Sequence, residues 1–174
     1  MENYVQTHLA AYEETQGVLP ERLAALGEQY REQGHLTRAQ LHELAYETST
    51  RSAFHVKQNP ADRCVEVTKN VRQVEGDFSK VHLLEGLSGF KAPTASAVLT
   101  ALDPEIHAVV DTRVWASLER LDRLDGRKEQ FDAADYVTMI EPIREIAAET
   151  GYSTAEVGYA LFAADVESRD GTLH

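Results

Sequence analysis

Residues 84–115 constrain this chain more than any other stretch. A helix ends at Gly86, a tight hairpin containing Gly89 follows, and a second helix opens on the small residues Ala92, Thr94, Ala95, Ser96 and Ala97. The glycines supply backbone freedom where a helix must stop and reverse. The small residues let another backbone approach closely. Further along, apolar Val109 and Val110 deliver one carboxylate, Asp111, to the start of another helix. An Asp in that position caps the helix, and the same backbone donors would hold a functional carboxylate rigidly and favour its ionised form.

The remaining sequence reads as helices joined by short loops, giving an all-α single domain over residues 1–174 with roughly eight to ten short helices. Tyr4, Val5, Leu9 and Tyr12 share one face of a first helix that Gly17 ends. Pro20 fits the first turn of a second helix, which stops near Gly34, and Thr37 is suited to cap a third. Residues 47–59 are polar and weakly periodic, a loop or a broken helix. Asn59 and Pro60 read as the cap and first position of a helix with Val65, Val67, Val71 and Val74, ending at Gly76. A helix over 77–87 leads into the hairpin, so the helix-hairpin-helix unit spans about 77–102. The Asp111 helix begins within 109–122. Two more helices fit 132–150 and 153–167, the second capped by Ser153, and the last residues read as frayed. Ile106 to Val110 is the one segment with any strand character.

Composition narrows the function classes. Hydrophobic residues at 43% and charged residues at 26% suit a water-soluble domain. No apolar run approaches the ~18 residues of a membrane span. The N-terminus lacks the basic and apolar regions of a secretory signal, so a cytoplasmic location is expected. Cys64 is the only cysteine, which excludes an intramolecular disulfide and a four-cysteine iron–sulfur cluster. His55 and His107 fit no metal-ligand spacing, so no metal is expected. A net charge of −12 runs against a generic nucleic-acid binder. The only net-positive segment, residues 51–80, carries Arg51, Lys57, Arg63, Lys69, Arg72 and Lys80 and lies directly before the hairpin.

Leu87, Gly89, Phe90, Thr94, Ala95, Val98 and Leu99, followed by Val110, Asp111, Thr112 and Val114, resemble the motif of the helix-hairpin-helix base-excision DNA glycosylase superfamily. The match is tight over the hairpin and the Asp helix. The sequence from Gly89 to Leu99 is also similar to a compact, uncharacterised branch of that superfamily without an iron–sulfur cluster. The resemblance implies an all-α glycosylase fold and duplex DNA carrying a lesion as partner. It implies Asp111 as the catalytic carboxylate for hydrolysing an N-glycosidic bond after the nucleotide is flipped from the helix. Gly86, Gly89, Lys91, Thr94 and Arg113 would meet the DNA backbone. Arg51, His55 and Asn59, with Thr48 and Ser49, lie where the family places residues that probe the base or duplex. No cofactor is required, although such a hairpin can hold a monovalent cation on backbone carbonyls.

Two departures refine the expectation. Lys91 replaces the second hairpin glycine. Pro93 stands where bifunctional members carry the lysine that forms a Schiff base with the sugar. A monofunctional hydrolase without lyase activity is therefore expected. Two alternatives stay open: a non-catalytic helix-hairpin-helix DNA-binding or scaffold protein, and a hydrolase of a small nucleoside-type substrate. Trp115, Phe90, Tyr159 and Phe162 read as core residues, with stacking on a flipped base as their other use.

Overall fold

The structure, a computed structural model, describes residues 1–16, 18–126 and 128–170. Its helices are α1 (Glu2–Gln16), α2 (Val18–Gln33), α3 (Arg38–Thr48), α4 (Thr50–Val56), α5 (Ala61–Val71), α6 (Asp77–Glu85), α7 (Ala92–Leu102), α8 (Thr112–Arg120), α9 (Ala133–Thr150) and α10 (Thr154–Asp170). Among the described residues there is no strand, and the helices form one compact all-α domain.

The centre of the domain is α7. Every residue from Thr94 to Ala101 is buried. Its small side chains let α2, α3, α6 and α9 gather around it. The α2–α7 approach is so close that a Cβ on Gly27 would lie 1.9 Å from the Ala101 carbonyl oxygen. On the other side α10 packs against α1, α8 and α9. No helix among the described residues is long and apolar enough to cross a membrane.

Local chemistry explains several helix starts. Thr37 and Gln40 form a reciprocal capping box at α3, and Asp132 and Asp135 form one at α9. At α10 the Glu156 N–H donates to Ser153 Oγ, and the Ser153 N–H donates to Glu156 Oε2 at 2.7 Å. Gly34 adopts φ +79° after α2 and Gly151 φ +77° after α9. Gly17 and residues 171–174, where a helix end and a frayed terminus were expected, lie outside the described residues.

Several expectations change. The polar stretch after α3 contains a helix, α4, because Ser49 Oγ accepts the Ser52 N–H and caps it. Asn59 does not cap α5; Pro60 occupies that position, with no side-chain cap bond, and α5 ends at Val71 rather than Gly76. The inward face of α5 is Cys64, Thr68 and Val71. Thr68 is accommodated there because its Oγ1 donates to the Cys64 carbonyl at 2.8 Å and accepts the Leu36 N–H at 2.9 Å. Residues 107–110 have no regular secondary structure and form no strand.

Candidate functional site

Asp111 is placed by the two segments that flank it. On one side, Ser96 Oγ of α7 donates to the Pro93 carbonyl at 2.7 Å and accepts the Val110 N–H at 3.0 Å. This bond ties the segment before Asp111 to the start of the hairpin's second helix. On the other side, Gly158 of α10 lets that segment come close, since a Cβ there would stand 2.8 Å from the Ala108 Cβ. Asp111 itself has extended backbone and caps α8. Its Oδ1 accepts the N–H groups of Arg113 and Val114, both at 2.9 Å. Its Oδ2 has no hydrogen-bond partner among the described residues.

The carboxylate borders a cavity of about 320 Å³. The walls come from five helices and the segment carrying Asp111: Tyr12 and Thr15 of α1, Leu19 of α2, Glu47 and Thr48 of α3, Pro93 of α7, Val109 and Val110, and Gly158, Tyr159 and Phe162 of α10. Tyr12 and Tyr159 stack with ring centroids 4.9 Å apart, and Phe162 meets Tyr12 edge-on at 5.8 Å. Both tyrosines are more than nine-tenths buried. Neither hydroxyl has a hydrogen-bond partner among the described residues, although both rings line the cavity.

Electrostatics sharpen the picture. Burial raises the Asp111 pKa above the usual carboxylate range. The N–H groups of Val114 and Arg113 and the Arg113 guanidinium oppose that rise, and Asp165 adds to it. Burial also raises the phenols of Tyr12 and Tyr159, and the nearby Asp111 charge raises Tyr12 further. Both are therefore neutral donors. Glu47 is ion-paired with Arg22. Burial raises the Cys64 thiol too, which suits a buried side chain and not a nucleophile.

The other residues singled out in the sequence have diverse fates. Gly86 is exposed at the end of α6 but has ordinary right-handed backbone, so glycine is not demanded there. Gly89 is demanded. Its φ is +86°, and a Cβ would lie 2.5 Å from the Ser52 carbonyl oxygen of α4. Lys91 is exposed at the cap position of α7. Thr94 is buried, with its Oγ1 3.3 Å from Thr48 Oγ1, so its side chain is not presented to a phosphate. Arg113 lies over the Phe162 ring and pairs at 3.4 Å with the buried Asp165, with 37% of its side chain exposed. Arg51 and His55 are exposed on α4, beside the equally exposed Phe54. Asn59 is buried. Its Nδ2 donates to the carbonyls of Val56 and Ser88, and its Oδ1 accepts the Ser88 N–H, so the side chain fixes the hairpin and does not reach out to a duplex.

Of the aromatic residues named above, Tyr159 and Phe162 line the cavity, while Phe90 and Trp115 do not. Trp115 packs on Phe131 and donates to the Gly126 carbonyl. Sequence reasoning missed Tyr12, Thr15 and Glu47. Tyr12 carried only a core signal, and nothing local marks Glu47. Among the described residues no group of three or more His, Cys, Asp or Glu side chains is placed to hold a metal ion. The chain matches no family model, no curated protein and no solved structure with which it was compared.

Proposed function

We propose that this protein is a monofunctional DNA N-glycosylase that hydrolyses the bond between a damaged or mismatched base and its sugar. The observation that carries the reading is Asp111 itself: one carboxylate oxygen fixed by two backbone donors, the other unpartnered, at the edge of an aromatic-walled cavity. A volume of about 320 Å³ lies at the small end of ligand pockets and suits a single base.

With a base in the cavity, the bond from C1′ to the ring nitrogen breaks and its electron pair leaves with the base. The sugar becomes oxocarbenium-like, and an ionised Asp111 stabilises that charge. A water adds its oxygen to C1′ and passes its proton to Asp111 or to solvent. Pro93 lines the cavity and Lys91 does not, so no amine is at hand for a Schiff base. That supports hydrolysis without strand cleavage. Exposed Lys91, Arg51 and His55 are the residues suited to meet the DNA backbone.

The test is a panel of lesion-containing duplexes treated with alkali after incubation, with Asp111→Asn beside the parent. Abasic sites made by the parent and not by the variant are expected. Equal signals from both, or none, would overturn the reading. A second reading, hydrolysis of a free nucleoside, draws on the net charge of −12. Base release from nucleosides but not from duplexes would favour it.

A further inference from the structure

Ser96 departs from the pattern of its own helix. Alanines flank it in α7, and every residue from Thr94 to Ala101 is buried. A hydroxyl in such a place is costly unless it is bonded, and serine suits a helix interior less well than alanine. Ser96 Oγ is bonded twice. It donates to the Pro93 carbonyl at 2.7 Å and accepts the Val110 N–H at 3.0 Å. Ser96 and Val110 are both fully buried. No other group among the described residues accepts that N–H. An alanine here would suit the helix and strand the N–H of the residue before Asp111.

We propose that Ser96 is the positioning residue of the site: its hydroxyl sets where the Asp111 carboxylate stands against the cavity, on the reading of Asp111 as the reacting group. The bonds to Asp111 Oδ1 come from the N–H groups of Arg113 and Val114, two and three residues away, so they fix the carboxylate to α8 only. Ser96 fixes the residue before Asp111 to α7, the most enclosed helix of the domain. The same hydroxyl bonds Pro93, which α7 contributes to the cavity wall. One oxygen thus joins the wall to the segment that carries the carboxylate. On the far side, Gly158 of α10 admits that segment so closely that a Cβ there would stand 2.8 Å from the Ala108 Cβ. A reacting group registered on a rigid element keeps its productive geometry, and a displacement of about 1 Å can cost about 10²-fold in rate. Without the Ser96 hydroxyl, α8 stays capped while the carboxylate loses its register against the wall.

The experiment follows base release from duplexes carrying 7-methylguanine, hypoxanthine or uracil, and titrates the Asp111 carboxyl by NMR, in the parent, Ser96→Ala and Thr100→Val. Thr100 is a buried hydroxyl one turn further along α7; it donates to the Ser96 carbonyl at 2.8 Å and does not line the cavity. Ser96→Ala is expected to lower kcat about 10- to 100-fold with KM within about twofold of the parent, because binding is kept and the reacting geometry is lost. Its Asp111 should titrate lower than in the parent, since burial is what raises that carboxyl and a loosened one gains water. Thr100→Val should match the parent in both readouts. A parent-like kcat in Ser96→Ala, an unmoved Asp111 titration, or an equal loss in Thr100→Val overturns the proposal, the last because any buried hydroxyl of α7 would then serve. No base release by the parent from any duplex, with the Asp111 titration still moved by Ser96→Ala alone, overturns the glycosylase and upholds the positioning.

Discussion

Asn59 grips Ser88 from both sides of its peptide: Nδ2 donates to the Ser88 carbonyl at 2.9 Å, and Oδ1 accepts the Ser88 N–H at 2.8 Å. A third bond, to the Val56 carbonyl at 3.0 Å, anchors the same amide to the end of α4. The hairpin is thereby fastened to the helix that carries Arg51 and His55. Asn59→Ala removes all three bonds and leaves the Ser88 N–H and carbonyl without their side-chain partner, while the Val56 carbonyl keeps the Asn59 N–H. A loss of about 2–4 kcal/mol is expected, with faster amide exchange at Ser88. Asn59→Asp keeps the acceptor but not the donors and should fall between. A denaturant midpoint unchanged in Asn59→Ala would refute the clamp.

Asp111 should show stability and activity moving in opposite directions. Its pKa in the folded chain is raised by burial, so the native state holds the proton more readily than the unfolded state does. The ionised form therefore costs stability above the folded pKa, and the cost disappears as pH falls through it. Asp111→Asn keeps an oxygen to accept the Arg113 and Val114 N–H groups and removes the buried charge. At neutral pH it is expected to melt no lower than the parent while losing about 10²-fold or more in base release. Asp111→Ala also loses the cap and should be less stable than Asp111→Asn by about 1 kcal/mol. The parent's activity should decline on its acid side through a pKa above ~3.9, the usual aspartate value. An acid limb centred below that value would contradict the burial argument.

Much of this fold was legible because its signals are local. Thr37 with Gln40, Ser153 with Glu156, and Asp111 ahead of Val114 each act within a single helical turn, and the structure uses all three. The same local grammar misled at Asn59. A short polar residue before proline looks like a cap, but a contact 29 positions away in sequence recruits its side chain instead. The cavity was harder still. Tyr12, Glu47 and Tyr159 belong to α1, α3 and α10, and each alone reads as a core aromatic or a surface acid. The pairing of Arg113 with Asp165 was out of reach for the same reason, since the two lie 52 residues apart.

His107 opens the irregular segment that leads to Asp111, and it is fully enclosed. Its Nδ1 shares a hydrogen bond of 2.7 Å with the Tyr136 hydroxyl. Burial pulls its pKa down from 6.5 to about 4, despite Asp77 at 3.9 Å. The unfolded chain thus takes up a proton that the folded chain refuses. The stabilisation is complete above pH ~6.5 and is lost as pH falls toward 4, by up to about 3 kcal/mol. Urea denaturation from pH 7.5 to 4.5 should show this slope, and His107→Asn should flatten it. A slope identical in both proteins would exclude His107 as its origin.

Asp165 is fully buried yet meets three arginines: Arg169 at 2.7 Å, Arg120 at 2.8 Å and Arg113 at 3.4 Å. The cluster joins α8 to α10, the helix that supplies Tyr159 and Phe162 to the cavity. Arg120 also donates to Ser117 Oγ, which itself donates to the Leu161 carbonyl at 2.6 Å, so the contact extends along both helices. Removing the anion breaks all three pairs at a buried position, whereas removing one cation leaves two in place. Asp165→Asn is therefore expected to cost about 2–4 kcal/mol. Arg113→Met, at a partly exposed side chain, should cost about 1 kcal/mol or less. Because Arg113 lies over Phe162, Arg113→Met should also weaken ligand binding in the cavity more than Arg120→Met does. Thermal midpoints and nucleoside binding of the three variants check this order, and a loss in Arg113→Met as large as that in Asp165→Asn would overturn it.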